Sequence, residues 1–444
     1  MHDGYRERVA ALSEQYRSLP AGAPVRLAKR TSNLFRPRAR RHGAALDVTG
    51  FDGVLGVDPG ARTADVAGMT TYEHLADATL PYGLMPLVVP QLKTITLGGA
   101  IAGLGIESSS WRNGMPHESV QELDVLTGDG SVVTARADNE HRELFYGFPN
   151  SYGTLGYTLR ARIELEPVAP WVHLRHLPLG SIGALVERLA EVCEAGSLQG
   201  EEVAFVDGVA FGPDEAYLTL GSWATEPPPV VSRYTGQAIY YRSIQARAED
   251  WLTARDYLWR WDTDWFWCSR AFGVQHPWVR RLMAPDWLRS GTYWKVMSFE
   301  QRWGVKASVD RWRRRPAGEP VVQDVQVPVG RLEELMAGTF SEVGASPVWL
   351  CPLRVRRNWP LYPLDPDTLY VNVGIWSAGP TGANRWMEAE VDRLGGRKSL
   401  YSTVSYDEDQ FWANYNGPAF RALKSRYDPD GRLADLYDKC VLAR

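Results

Sequence analysis

The chain has 444 residues, of which 44% are hydrophobic and 23% charged, and a net charge of −4. That length exceeds one ordinary domain and that composition supports sizeable cores, while the charge balance gives no general reason to expect nucleic acid. Four cysteines, Cys193, Cys268, Cys351 and Cys440, lie far apart with no CxxC spacing, which argues against a metal knot or disulfide scaffold and for a reducing compartment.

The first residues, MHDGYRERVAALSEQYRSL, are charged and lack an apolar signal core, and no run of about 18 apolar residues follows. A cytoplasmic protein is expected, with peripheral contact to the inner face of the cell membrane left open. Residues 53–83 read as strand, turn, strand and helix. Asp58-Pro59-Gly60 supplies the turn, and Thr70 with Glu73 forms a capping box for the helix. Between Thr94 and Ser110 stands TITLGGAIAGLGIESSS, four glycines within eight residues. Such a cluster serves a tight turn, close backbone packing, or a backbone that must approach a ligand.

Residues 122–135 read as a hairpin turning at Gly128-Asp129-Gly130, and 157–165 as a half-buried strand. Pro167 and Pro170 mark a seam. Beyond it, strands are expected at 202–209, 216–222, 321–327 and 369–375, with a helix in GRLEELMAGTF. Half of the 18 tryptophans fall between Trp251 and Trp303, interleaved with arginines. This insert, about residues 240–315, leaves three readings open: core, membrane interface, or a contact between copies in an oligomer. After Ser399 come two short helices, DEDQFWANY and PAFRALKSRY.

The glycine cluster fits the dinucleotide fingerprint GxGxxG poorly. Gly103 and Gly105 begin it, Ser108 occupies the third position, and a hairpin follows where a βα unit is needed. Structural packing and a ligand nest stay open on the glycines alone. Thr96 before them and the serines after them add hydroxyls that, with successive backbone amides, suit a pyrophosphate. The eight histidines form no HExxH motif or metal-ligand pair; His42, His117 and His141 read as surface or hydrogen-bonded residues. The ESSS triplet lacks the GxSxG spacing of a nucleophile elbow. Alternation in VVQDVQVP puts Asp324 and Gln326 on one strand face, solvated or turned towards a ligand. Asn372 is polar within the apolar LYVNVGIW.

The segments PQLKTITLGGAIAGLGIESSS, ELDVLTGDGSVV and ELFYGFPNSYGTLGYTLRARIELEP resemble FAD-linked oxidoreductases of the vanillyl-alcohol-oxidase / p-cresol-methylhydroxylase type. GIESSS and YGTLG are most similar to the delta-24 sterol reductase (Diminuto) branch. PVVQDVQVP, PVWLCPLR, LYVNVGIW and LYSTVSYDEDQFWANYNG extend the resemblance over about residues 30–437.

The resemblance implies an α+β fold in two parts. Residues 1–168 form an FAD-binding domain, 169–399 an antiparallel-sheet substrate or cap domain, and 400–444 a tail completing the flavin site. It also implies noncovalent FAD held by Thr96, Leu97, Gly98, Gly99, Ala100, Ile101, Ala102, Gly103, Gly105, Ile106, Ser108 and Ser109. Thr31, Ser32, Asn33 and Leu34 of KRTSNLFR would join them, with Gly153, Thr154, Gly156 and Ile163. Asp324 is expected as proton donor, with Gln326 and Asn372 on the substrate face, Tyr401 as relay with Tyr406 behind it, and Glu107 as a further candidate. The activity implied is reduction of an isolated carbon–carbon double bond in a lipid, with NADPH as transient electron donor. The substrate is a methylene-branched fatty acyl chain, or a sterol or isoprenoid side chain. Trp111, where sterol reductases carry histidine, departs from the pattern. An alcohol or sugar dehydrogenase or oxidase on the same fold, and a non-enzymatic lipid scaffold, are the alternatives.

Overall fold

A computed structural model describes residues 2–29, 44–284, 287–293, 295–296 and 318–443. Two antiparallel sheets organise it. In the first, the strands run in the order Val54–Asp58, Thr63–Ala67, Tyr157–Pro167, Val120–Leu126, Val132–Arg136, and Leu84–Pro86 pairs with the far end of Tyr157–Pro167. Tyr157–Pro167 is therefore a central strand, more deeply buried than simple alternation suggests. Arg160 on this strand is 8% exposed. Its guanidinium meets Asp124 at 2.7 Å and Asp65 at 2.5 Å, and also Glu122, so the buried charge is compensated on three sides.

The helix after this sheet's first hairpin is Tyr72–Thr79, and its cap lies one residue later than the spacing implied. Thr71 Oγ1 accepts from His74 N at 3.3 Å. Thr70 is instead fully buried and bonds both the amide and the carbonyl of Gly53. Thr71→Ala should accordingly cost about 1 kcal/mol of stability, the usual scale for a lost N-cap, read as a lowered denaturant midpoint. An unchanged midpoint would refute the cap.

The second sheet has eight strands in the order Glu249–Thr253, Trp171–Leu179, Glu215–Ala224, Phe205–Gly212, Val348–Leu353, Tyr370–Gly379, Glu319–Pro328 and Arg397–Lys398. Its two faces are chemically different. Val325, Val327, Val371, Val373 and Ile375 pack beneath helices Ile182–Ala195, Leu332–Gly338 and Ala383–Arg393. The other face carries Trp349, Cys351, Leu353 and Tyr370 into the core shared with the first sheet. Mixed helix and antiparallel sheet is thus the observed class.

The first half of the Trp/Arg-rich insert reaches that shared core through Trp259, Trp261 and Trp267, each at most 2% exposed, while Trp265 is buried in a smaller cluster with Val274, Leu288 and Tyr293. Arg260 stands over the Tyr257 ring at 4.0 Å and pairs with Asp207 at 2.7 Å. The C-terminal helices Glu408–Asn414, Gly417–Tyr427 and Leu436–Cys440 return to the first sheet, packing Phe411, Phe420 and Leu436 into the same core.

Candidate functional site

The glycine cluster is a short helix, Leu97–Ala102, rather than an open loop. Thr96 caps it, its Oγ1 accepting from Gly99 N at 3.2 Å. The amides of Leu97 and Gly98 donate to Thr70 O and Gly68 O, both at 2.9 Å. Gly98 serves packing, because a Cβ there would lie 2.7 Å from the Gly68 carbonyl and 3.1 Å from Thr158 Cβ. Gly99 is different: it is exposed, and a Cβ would meet nothing nearer than its own cap, Thr96 Oγ1 at 2.9 Å. Ala100, Ile101 and Ala102 face the core. Gly103 ends the helix beside the Tyr152 ring, and Gly105 packs on Pro116.

The expected hydroxyl nest is not present. Ser108 Oγ is 2.7 Å from Tyr257 OH, Ser109 donates to Leu87 O, and Ser110 Oγ accepts from Glu107 N. All three serines are buried, so neighbouring elements have used the hydroxyls that the sequence offered to a phosphate. Ile106 is half-buried, and Ile163 is fully buried in the first sheet, paired with Ala64 and Val120. Thr31, Ser32, Asn33 and Leu34 lie outside the described residues.

A second segment, 150–158, seats against the end of that helix. Asn150 N donates to Gly103 O at 3.2 Å and Tyr152 N to Ala102 O at 2.7 Å. Its backbone is unusual, with positive φ at Asn150 (63°), Tyr152 (50°), Gly153 (75°) and Gly156 (147°). Non-glycine residues held there mark constrained, often functional, segments. The C-terminal tail clamps it: Lys424 Nζ donates to Thr154 O at 2.9 Å and Lys439 Nζ to Tyr152 O at 2.5 Å.

Three buried polar atoms in this segment, Asn150 Oδ1, Ser151 Oγ and Thr158 Oγ1, have no hydrogen-bond partner among the described residues. Buried polar groups are nearly always satisfied. Orphaned atoms in a segment seated on the end of the glycine-rich helix therefore fit a polar cofactor such as FAD, whose ribityl and phosphate groups would complete them.

Opposite stands a polar cluster on the second sheet. Asp324 pairs in register with Gly374, and Gln326 with Asn372. A Cβ on Gly374 would lie 2.9 Å from Asp324 Oδ1, so glycine leaves the carboxyl its room. Tyr401 OH donates to Asp324 Oδ2 at 2.6 Å and Asn372 Nδ2 to Oδ1 at 2.8 Å. Gln326 Nε2 donates to Asn372 Oδ1 at 2.5 Å, and Tyr362 OH donates to Gln326 Oε1. Four expected site residues, Asp324, Gln326, Asn372 and Tyr401, are thus brought into one hydrogen-bonded row.

Burial raises the Asp324 carboxyl to about 6, against the lowering effect of the bonds from Tyr401 and Asn372 and of the Lys398 charge. Burial and the neighbouring Asp324 hold the Tyr401 phenol well above its ordinary value, and Tyr152 adds to this. Tyr152 thereby links the two halves: it sits against Gly103 on one side and within electrostatic reach of Tyr401 on the other. Phe266 stacks on Trp376 at 4.5 Å, and Trp267 Nε1 donates to Trp376 O, forming an aromatic wall two residues from Gly374.

The remaining candidates lie elsewhere. Glu107 accepts from Gln91 N at 2.8 Å and from the Gln91 side chain. It lines a small cavity with Tyr257 and Arg260, and is not among the hydrogen-bond partners of Asp324. Burial raises it well above the usual carboxylate range, opposed by Gln91 and Arg260. Tyr406 does not back Tyr401; its hydroxyl donates to Asp392 at 3.1 Å. His141 shares a hydrogen bond with Tyr427 OH. His117 is not a surface residue: it is buried edge-on to Trp359, and neither ring nitrogen has a partner among the described residues. Burial lowers it to about 3, so it is neutral.

Sequence reasoning missed Tyr152, Tyr362 and Lys398. Tyr152 carried a signal, its place inside the NSYGTLG turn cluster; Tyr362 and Lys398 carried none, because long-range packing brings Tyr362 to the row and Lys398 to the other face of the same strand.

A family model described as an FAD binding domain matches residues 7–136. The Delta(24)-sterol reductase of Arabidopsis thaliana is 25% identical over 444 aligned residues, covering 90% of this chain and 77% of the relative. The human Delta(24)-sterol reductase is 25% identical, covering 88% and 77%. Cytokinin dehydrogenase 2 of Oryza sativa subsp. japonica is 30% identical over a shorter stretch, 39% of this chain and 31% of the relative.

Proposed function

We propose that this chain, an FAD-linked oxidoreductase of the vanillyl-alcohol-oxidase / p-cresol-methylhydroxylase type in its delta(24)-sterol-reductase-like branch, reduces an isolated carbon–carbon double bond of a lipid with NADPH as donor. The observation that carries this is a buried carboxyl held by Tyr401 and Asn372 beside an aromatic wall and raised by burial to about 6. An alkene without a carbonyl needs a proton before it accepts hydride, and water is too weak a donor. Asp324 supplies that proton to the less substituted carbon. Trp376, Phe266 and Trp267 face the charge left on the more substituted carbon and stabilise it. Bound FAD supplies the hydride that completes the reduction. Asn372 and Tyr401 hold the carboxyl in place through its two oxygens, and Gln326 holds Asn372.

A methylene-branched fatty acyl chain is the proposed substrate. A sterol or isoprenoid side chain places charge on a tertiary carbon equally well. Anaerobic mixing tests the reading: NADPH should bleach the flavin, and a methylene-branched lipid should restore its absorbance. Bleaching by an alcohol, with no recovery on adding alkene, would establish a dehydrogenase instead.

The lipid is met at a surface formed by described residues between Trp278 and Val296. Among the described residues, Trp278, Val279, Leu282, Trp287 and Val296 are 42–87% exposed, and the exposed cations Arg281, Arg289 and Lys295 stand among them. Beneath them, Arg280 is buried on Asp264 at 2.5 Å, which fixes helix Pro277–Leu282 with Trp278 and Leu282 one turn apart. An anionic lipid surface matches both the apolar side chains and the positive charge. No described helix is long and apolar enough to cross a membrane. Co-sedimentation with anionic vesicles is expected, and Trp278→Ser with Trp287→Ser should abolish most of it without loss of FAD. No binding at low salt, or a change in oligomeric state instead, would overturn this surface.

A further inference from the structure

Two arginines from different parts of the chain meet on one aromatic ring. Arg142 opens the short helix Arg142–Gly147, and its guanidinium lies 5.5 Å from the centre of the Tyr146 ring, one turn on. Arg357, in the turn that follows Val348–Leu353, lies 4.6 Å from the same ring and 5.6 Å from that of Trp359. Both arginines are exposed. Neither guanidinium faces a carboxylate among the described residues. Glu143 instead faces Arg426 at 3.4 Å, Glu164 faces Arg356 at 3.3 Å, and Glu118 accepts from Arg356 N and Trp359 Nε1. Two like charges on one ring repel, and exposed contacts with an aromatic face return little. An anion held by both would turn that cost into a gain.

Both elements lead inward to the cofactor seam. The helix runs on into Asn150, whose side chain donates to Leu361 O at 2.7 Å, and then into Tyr152, which donates its amide to Ala102 O. The turn carrying Arg357 closes where Tyr362 N donates to Trp359 O at 3.0 Å, and Tyr362 OH joins the Asp324 row through Gln326. The rings of Tyr146 and Trp359, 5.9 Å apart, hold the two elements together. The arginines therefore stand on the exposed rim of elements that converge on the seam.

We propose that Arg142 and Arg357 form the site for the adenosine 2′-phosphate of the electron donor, so that this chain takes NADPH in preference to NADH. This rests on the reading of the protein as a reductase that draws its electrons from NADPH. A phosphate monoester is close to dianionic at neutral pH, which matches two unpaired cations. The planar donor fork of each guanidinium suits phosphate oxygens in pairs, whereas NADH offers only a hydroxyl there. Neither element carries an exposed large apolar side chain, unlike the surface around Trp278, and this separates the site from a membrane contact.

Calorimetric titration of the FAD-loaded protein with adenosine 2′,5′-bisphosphate reads the site without any redox step. The bisphosphate should bind about 10-fold or more tightly than adenosine 5′-monophosphate, the scale of one charge-assisted hydrogen bond. Arg142→Gln with Arg357→Gln should remove that preference and keep FAD, because both side chains are exposed. In anaerobic mixing, the efficiency of flavin bleaching by NADPH relative to NADH should fall by about 10-fold or more in the same variant. Each single variant should fall between, and carries the test should the double variant lose FAD. Equal affinity for the two adenosine phosphates in the wild type, or a preference that survives both substitutions, would overturn the proposal. So would an equal loss of bleaching by NADPH and NADH. A preference for the bisphosphate without any bleaching by NADPH would leave the phosphate site standing and overturn the donor reading instead.

Discussion

Asp324→Asn should retain FAD and accept electrons from NADPH at near the wild-type rate, yet lose about 100-fold or more in reoxidation by an alkene lipid, the scale for removing a general acid. The asparagine is nearly isosteric and can still bond Tyr401 and Asn372, whose hydrogen bonds to Asp324 are 2.6 and 2.8 Å long. What it removes is an ionisable proton in a group that burial has raised to about 6. Reduction by NADPH requires no such proton, so the two half-reactions should separate. Equal slowing of both would give Asp324 a role in holding the cofactor or the sheet. Unchanged lipid turnover would move the acid to Tyr401, to be tried as Tyr401→Phe.

Two adjacent glycines should behave in opposite ways. Gly99→Val should give soluble, colourless protein, because Gly99 is exposed and its only near neighbour is the Thr96 hydroxyl. The folding cost is about that of a disturbed helix cap, on the order of 1 kcal/mol, while the branched side chain fills the exposed face on which the cofactor is expected to lie. Gly98→Val should instead fail to fold, since its Cβ would press on the Gly68 carbonyl at 2.7 Å, an overlap with backbone that a packed core cannot relieve. Absorbance at the flavin band per mole of soluble protein reads both. A yellow Gly99→Val protein with stoichiometric FAD would remove this face from the cofactor path.

Local chemistry explains what was legible beforehand. The hairpins of the first sheet announced themselves through Asp58-Pro59-Gly60 and Gly128-Asp129-Gly130, and the strand Glu319–Pro328 through the alternation in DVQVP, which also put Asp324 and Gln326 on one face. Trp171–Leu179, Val348–Leu353 and the helices Ile182–Ala195 and Ala383–Arg393 were not foreseen. Val348–Leu353 is buried on both faces and so shows no alternation. The serines after the glycines looked free because their partners, Tyr257 and Leu87, lie 149 and 22 residues away. The row from Tyr362 to Tyr401 was half visible: the strand period aligns Asp324 with Gln326, but only the sheet order brings Asn372 beside them and wraps the chain around to Tyr401.

The most direct test is a single turnover without oxygen. Purified protein reduced by one equivalent of NADPH is mixed with a phospholipid bearing a methylene-branched acyl chain, and both flavin absorbance and lipid mass are followed. Recovery of the oxidised flavin should match, mole for mole, a lipid heavier by the two hydrogens of a saturated methyl branch. Flavin that stays reduced beside that lipid and beside sterol or isoprenoid alkenes, or recovers without a hydrogenated product, would contradict an alkene reductase.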